Sequence, residues 1–221
     1  FGLPPAARAQ VAAALAADLG RPAVVVTASE ADATRFAADA GFFGARSAVF
    51  PARDLALRPT LSQSREFEYR RIAVLGSIVG GRCNLLAASA EGLLQLTMPR
   101  AEFEQNTLTL KQGQKFRLQD LIARLSGAGY HRRDRVEGPG QFSVRGGIID
   151  IYPPPFPLEG GEVHDGPVRL DFFGDTVESL RAFDPFSQRS TGELAEVTLL
   201  PVSDILLSAR DSESCRQAAA L

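Results

Sequence analysis

Gly2-Leu3-Pro4-Pro5-Ala6-Ala7-Arg8-Ala9 has the length of the phosphate-cradling pattern G-x-x-x-x-G-K-[S/T]. That chemistry needs backbone N–H groups around the phosphates, a lysine for the outer phosphates and a hydroxyl for magnesium. Here Ala7 stands for the second glycine, Arg8 for the lysine and Ala9 for the hydroxyl residue, while Pro4 and Pro5 remove two N–H donors. Such a loop is not expected to hold nucleotide, and the segment reads equally as a plain helix start. No Ser-His-Asp, Cys-His or paired-carboxylate arrangement stands out elsewhere. Cys83 and Cys215 lie far apart, and His131 and His164 are the only histidines, so a zinc site or a two-histidine centre is not expected. The acidic residues between Glu159 and Glu178 read as a solvated face.

The second candidate chemistry is recognition. The stretch from Tyr130 to Ser190 holds Gln141-Phe142-Ser143-Val144-Arg145-Gly146-Gly147-Ile148-Ile149-Asp150 and Val168-Arg169-Leu170-Asp171-Phe172-Phe173. Side chains alternate along a strand, so Val168, Leu170 and Phe172 share one face and Arg169, Asp171 and Phe173 the other. Phe142 and Val144 inward leaves Ser143 and Arg145 outward. An exposed phenylalanine beside arginines has the composition of a protein-binding hot spot. The alternative is a solvated sheet on which Arg145 and Arg169 pair with Asp150 or Asp171 while Phe173 is core.

The 221 residues carry 24 basic and 26 acidic side chains, a net charge of −2, with 45% apolar and 23% charged residues. This is ordinary globular composition, not that of a disordered tail or a disulfide scaffold. Near-neutrality argues against wrapping nucleic acid as the main task. Of the basic residues only Lys111 and Lys115 are lysine. An arginine excess with alanine runs fits a GC-rich coding bias. Charge is uneven: residues 113–150 hold seven basic and four acidic residues, and 151–198 hold three and nine. That suits a charged partner surface better than a small apolar ligand. No run approaches 18 apolar residues and the start is not a signal peptide, so the expected location is the cytoplasm, with no membrane partner. The first residue is Phe1 and the last Leu221, which reads as a piece of a longer protein.

These residues need elements to place them. Pro4–Leu19 reads as a helix opened by prolines and closed by Gly20. Ala23–Thr27 reads as a strand covered on both faces, and Ser29 with Asp32 as the cap of a helix through Ala40. Strands at Ser47–Phe50 and Asn84–Ala88 alternate with helices at Ser62–Val79 and Ser89–Leu96, a parallel-sheet α/β pattern. After Met98-Pro99 the texture shifts to a strand at Thr107–Leu110, a short helix at Leu118–Leu125 and then mostly strands. Gly174-Asp175 sits between two strand-like runs as a two-residue hairpin turn. The Pro- and Gly-rich residues from Pro153 to Gly166 read as a loop. A boundary is expected near residue 106.

Phe142-x-Val144-Arg145-Gly146-Gly147-Ile148-Ile149-Asp150-Ile151-x-Pro153, Arg169–Asp175 and Ser187-Gln188-Arg189-Ser190 together resemble the N-terminal module of the bacterial transcription-repair coupling factors, which is related to the excision-repair protein UvrB. The resemblance is strongest from about residue 107 to 201. It implies a helicase-like α/β domain with a degenerate phosphate loop (residues 1–106; Gly2, Ala7, Arg8 and Ala9 as the non-binding loop). Into this an α+β domain is inserted (107–198), and residues 199–221 begin the return. UvrB is the nearest alternative, an ATP- and DNA-binding excision-repair protein. It keeps an intact phosphate loop and a tyrosine-rich hairpin, whereas residues 51–62 here contain no tyrosine. The family implies a non-catalytic segment whose inserted domain binds UvrA through Arg145, Arg169 and Phe173, with Arg132, Arg133 and Arg135 extending the patch. It implies no cofactor in this segment, ATP and magnesium belonging to the motor part. RNA polymerase and DNA would be met only through other regions, and other domains of the full-length protein would mask the UvrA-binding face.

Overall fold

The computed structural model describes residues 2–53, 65–155 and 166–205. The expected features at residues 54–62, much of the 153–166 loop, Glu159, His164, Cys215 and most of the 199–221 segment lie outside the described residues. The chain divides into two compact units, one ending at Leu96 and the other beginning at Thr97.

In the first unit, α1 (Pro5–Asp18), β1 (Ala23–Thr27), α2 (Glu30–Phe42), β2 (Ser47–Phe50), α3 (Glu66–Val79), β3 (Leu85–Ser89) and α4 (Ala90–Leu94) follow one another. The three strands are parallel in the order β1-β3-β2. Small residues on α1, Ala9, Ala13 and Ala16, let it lie close against Leu85 with Ala23 and Val25 beside it. The opposite face of β3 and β2 meets Val74, Leu75 and Ile78 of α3. The Ser29 hydroxyl caps α2 by accepting from the Asp32 amide at 3.1 Å, as its sequence indicated. That hydroxyl also bonds the Asp32 carboxylate; this bond and the Arg35 guanidinium hold the carboxyl below its usual range.

One expectation for this unit is corrected. β1 is not covered on both faces: it is an edge strand, and Val24 and Val26 are 55% and 60% exposed. They sit in register with Leu86 and Ala88, which α3 covers, but α3 serves only the β2–β3 side. The continuously buried strand is β3. The Gly2–Ala9 segment runs directly into α1. α1 begins at Pro5, so Ala7, Arg8 and Ala9 are already wound into helix, and Arg8 donates its backbone N–H to Pro4. The Arg8 side chain turns back to the Leu3 carbonyl at 2.8 Å.

The second unit starts ten residues before the expected boundary for a local reason. Arg124 donates to the Gln105 carbonyl and Thr97 bonds Asp204, which ties α5 (Arg100–Asn106) to the residues that follow it. β4 (Leu108–Lys111) pairs antiparallel with β11 (Glu196–Leu199), and α6 (Leu118–Gly127) buries Leu121 and Leu125. The described part of the expected return segment stays with this unit: Tyr130 donates to the Leu200 carbonyl and Val202 to that of Ala128.

The six-stranded sheet runs β10-β9-β8-β7-β6-β5, with β5 (His131–Arg132), β6 (Gln141–Arg145), β7 (Ile148–Tyr152), β8 (Val168–Phe173), β9 (Thr176–Phe183) and β10 (Ser190–Glu193). All neighbours are antiparallel except β5 and β6. Phe142, Ile149, Ile151, Val168, Leu170 and Leu180 are buried on its inner face. The hairpin turn at Gly174-Asp175 is where the sequence put it, with Gly174 at φ +59°.

Candidate protein-binding face

Register lines up the outer face. Ser143, Asp150, Arg169 and Arg181 form one row across β6, β7, β8 and β9, and Arg145, Ile148, Asp171 and Ser179 form the next. The Arg145-Gly146-Gly147-Ile148 turn fixes the end of the second row. Gly146 takes φ +62°, and a Cβ on Gly147 would lie 2.8 Å from the Phe172 carbonyl oxygen. The two glycines therefore let β7 approach β8 and aim Arg145.

Asp150 is the hub of this face and is only 1% exposed. Its Oδ1 accepts from Arg169 Nε at 2.6 Å, and its Oδ2 accepts from Arg169 Nη2 at 2.9 Å and Arg145 Nη2 at 2.7 Å. Arg169 also donates Nη1 to the Gln188 carbonyl and lies over the Phe183 ring, 4.8 Å from its centroid. The hydrogen bonds to Asp150 push the Arg169 guanidinium further up from its already high range. In the next row Asp171 is paired with Arg181 and accepts from Ser179.

A turn reaches the first of these rows at Arg169. Residues 184–189 link β9 to β10 at one edge of the sheet, yet Arg135, from the loop after β5 at the other edge, donates to the Pro185 and Phe186 carbonyls. The Asp184 carboxylate accepts from the Phe186 amide and the Ser187 hydroxyl, which hold it below the ordinary carboxyl range, the amide foremost. Gln188 sits at φ +60°, with its side-chain amide donating to Pro185. Asp150 and Ser143, although on the outer face, are each only 1% exposed, where alternation alone had placed Ser143 outward in solvent.

The expected site residues thus separate. Phe173 is outward and 79% exposed, not core. Arg145 is 54% exposed and Arg169 only 16%, and both are paired with Asp150, the arrangement raised as the alternative. Arg135 serves the turn. Arg132 and Arg133 are exposed, but Arg132 stands in register with inward-facing Phe142, on the face away from Arg145. Strand periodicity missed Asp150 as the hub, although an acid between Ile149 and Ile151 in an apolar strand is the signal that could have found it. It also missed Phe186, 89% exposed on the 184–189 turn.

Among the described residues, no group of three His, Cys, Asp or Glu side chains could hold a metal ion. Cys83 is buried, which pushes its thiol up and leaves it inert. No described helix is long and apolar enough to cross a membrane.

A sheet face of paired arginines with an outward aromatic has the composition of a protein-recognition surface, and a parallel α/β unit precedes it in the chain. Residues 108–204 match the family described as the UvrB interaction domain, which spans most of the second unit. The chain is 36% identical over 216 residues to the transcription-repair-coupling factor of Myxococcus xanthus, covering 94% of this chain and 17% of that protein. It is 28% identical to that of Bacillus subtilis (strain 168), covering 97% and 18%. It is also 32% identical over 202 residues to the UvrABC system protein B of Cupriavidus pinatubonensis, covering 85% and 28%. Residues 108–204 are therefore similar to a UvrB interaction domain, and the chain as a whole resembles the N-terminal UvrB-like module of transcription-repair coupling factors. It spans under a fifth of the length of the coupling factors it matches.

Proposed function

We propose that this chain is a non-catalytic adaptor that binds UvrA and so brings nucleotide excision repair to stalled RNA polymerase. The observation that carries this is the outward Phe173 beside a half-exposed Arg145, inside a region similar to a UvrB interaction domain. Arg145 makes a charge-assisted hydrogen bond to a carboxylate of UvrA, and Phe173 fills a shallow apolar pocket. Arg133 and Arg135 belong to the margin of the patch, whereas Arg132 lies on the other face of β5 and is left out of it. In the full-length protein other domains cover this face until it is needed, and polymerase and DNA are handled by regions outside this segment.

The first unit is read as a helicase-like domain whose phosphate loop has decayed. Support comes from the helix that begins at Pro5 and from Arg8 turned back on Leu3. The rival reading, an ATP- and DNA-binding UvrB-like protein, draws on the 32% identity to UvrB. It requires magnesium-dependent ATP binding and salt-sensitive DNA binding; the adaptor reading expects neither in calorimetry and gel-shift series.

The deciding experiment is calorimetric titration of purified UvrA with the unaltered chain, Arg145→Glu and Phe173→Ala. Phe173 is exposed, so its change leaves the core intact; Arg145→Glu sets a carboxylate beside buried Asp150, so the fold of that variant is checked by circular dichroism before titration. Each is expected to lose about 2 kcal/mol of binding, the scale of an interface hot spot. Unchanged affinity in both would sink the interface.

A further inference from the structure

Arg145, Arg169 and Asp150 together carry one net positive charge. Arg169 spends Nε and Nη2 on Asp150 and Nη1 on the Gln188 carbonyl, and is largely buried. Arg145 gives only Nη2 to Asp150 and keeps the rest of its fork at the surface. The net charge of the cluster is therefore presented at Arg145.

We infer that Asp150 is a positioning residue for partner binding, acting through Arg145, with Arg169 as the anchor that fixes Asp150 in place. This rests on the adaptor reading above. A free surface arginine loses rotamer freedom when a partner captures it, and that loss weakens binding. Asp150 removes the cost beforehand: its Oδ2 fixes one N–H of the Arg145 fork, so the planar guanidinium already faces outward. Asp150 is held in turn by two bonds from Arg169, and Arg169 by the 184–189 turn and the Phe183 ring. The partner that fits is a protein carboxylate able to take the fork side by side, with an apolar recess for Phe173.

A double-mutant cycle on the whole chain with purified UvrA tests this. Asp150→Asn keeps shape and one acceptor while removing the charge, and Arg145→Gln removes the fork. Each single change is expected to weaken binding about tenfold, and the double change no more than about tenfold, because one interaction is lost in every case. Near-native affinity for a folded Asp150→Asn, or a double loss near the product of about a hundredfold, overturns the inference. Should Asp150→Asn not fold, Arg145→Lys decides. It keeps the charge but not the fork, and is expected to bind about as poorly as Arg145→Gln; native affinity overturns the inference. A chain that never binds UvrA removes the adaptor reading and this inference together. Binding that needs Phe173 but survives Arg145→Gln keeps the reading and removes only the inference.

Discussion

Arg8 and Arg169 are the same residue type in opposite settings. Arg8 lies exposed in the first turn of α1, with its guanidinium on the single carbonyl of Leu3. Arg169 lies mostly buried in β8, held by both oxygens of a carboxylate, a backbone carbonyl and an aromatic ring. The difference is the counter-charge. Around Arg8 the chain offers one backbone carbonyl, and the positions beside it are already helical. Around Arg169 the sheet supplies Asp150, the turn supplies Gln188, and the charge becomes part of the architecture. An arginine-rich composition therefore says little until each guanidinium is matched to what receives its N–H groups.

Three substitutions sharpen the contrast. The largest effect is expected from Asp150→Ala, which leaves Arg169 largely buried without its carboxylate and should cost about 3 kcal/mol or more in urea unfolding. A loss below about 1 kcal/mol would mean that the cluster is only a surface pair. Next is Gly147→Ala, whose new methyl meets the Phe172 carbonyl. It should cost about 1–3 kcal/mol as β7 and β8 move apart, and should lower affinity for UvrA with it. The smallest belongs to Arg8→Ala, expected to change stability by no more than about 0.5 kcal/mol. A clear drop in the thermal midpoint of that variant would show that the Leu3 contact matters more than its exposure indicates.

Much of this was legible in the sequence because it depended on neighbours along the chain. The Ser29 cap, the Gly174-Asp175 turn and the outward aim of Phe173 all follow from spacing within a few residues. What escaped depended on partners far away in sequence. Val24 and Val26 look like interior residues, and only the strand order reveals that β1 is an edge. Alternation placed Ser143 on the outer face correctly, yet it is only 1% exposed there. Asp150 was visible as one possible partner for either arginine. Its choice of both required the β7–β8 register, Asp150 against Arg169, which periodicity within each strand cannot supply.

The turn at residues 184–189 has a consequence for how this unit comes apart. It begins at β9, is gripped by Arg135 from the far edge, and rests on Arg169 in between. In an ordinary sheet the edge strands fray first and independently. Here Arg135 ties the turn that leads into β10 to the loop after β5 by two hydrogen bonds. The two rims of the sheet are thus joined through a single guanidinium, and fraying at one is felt at the other.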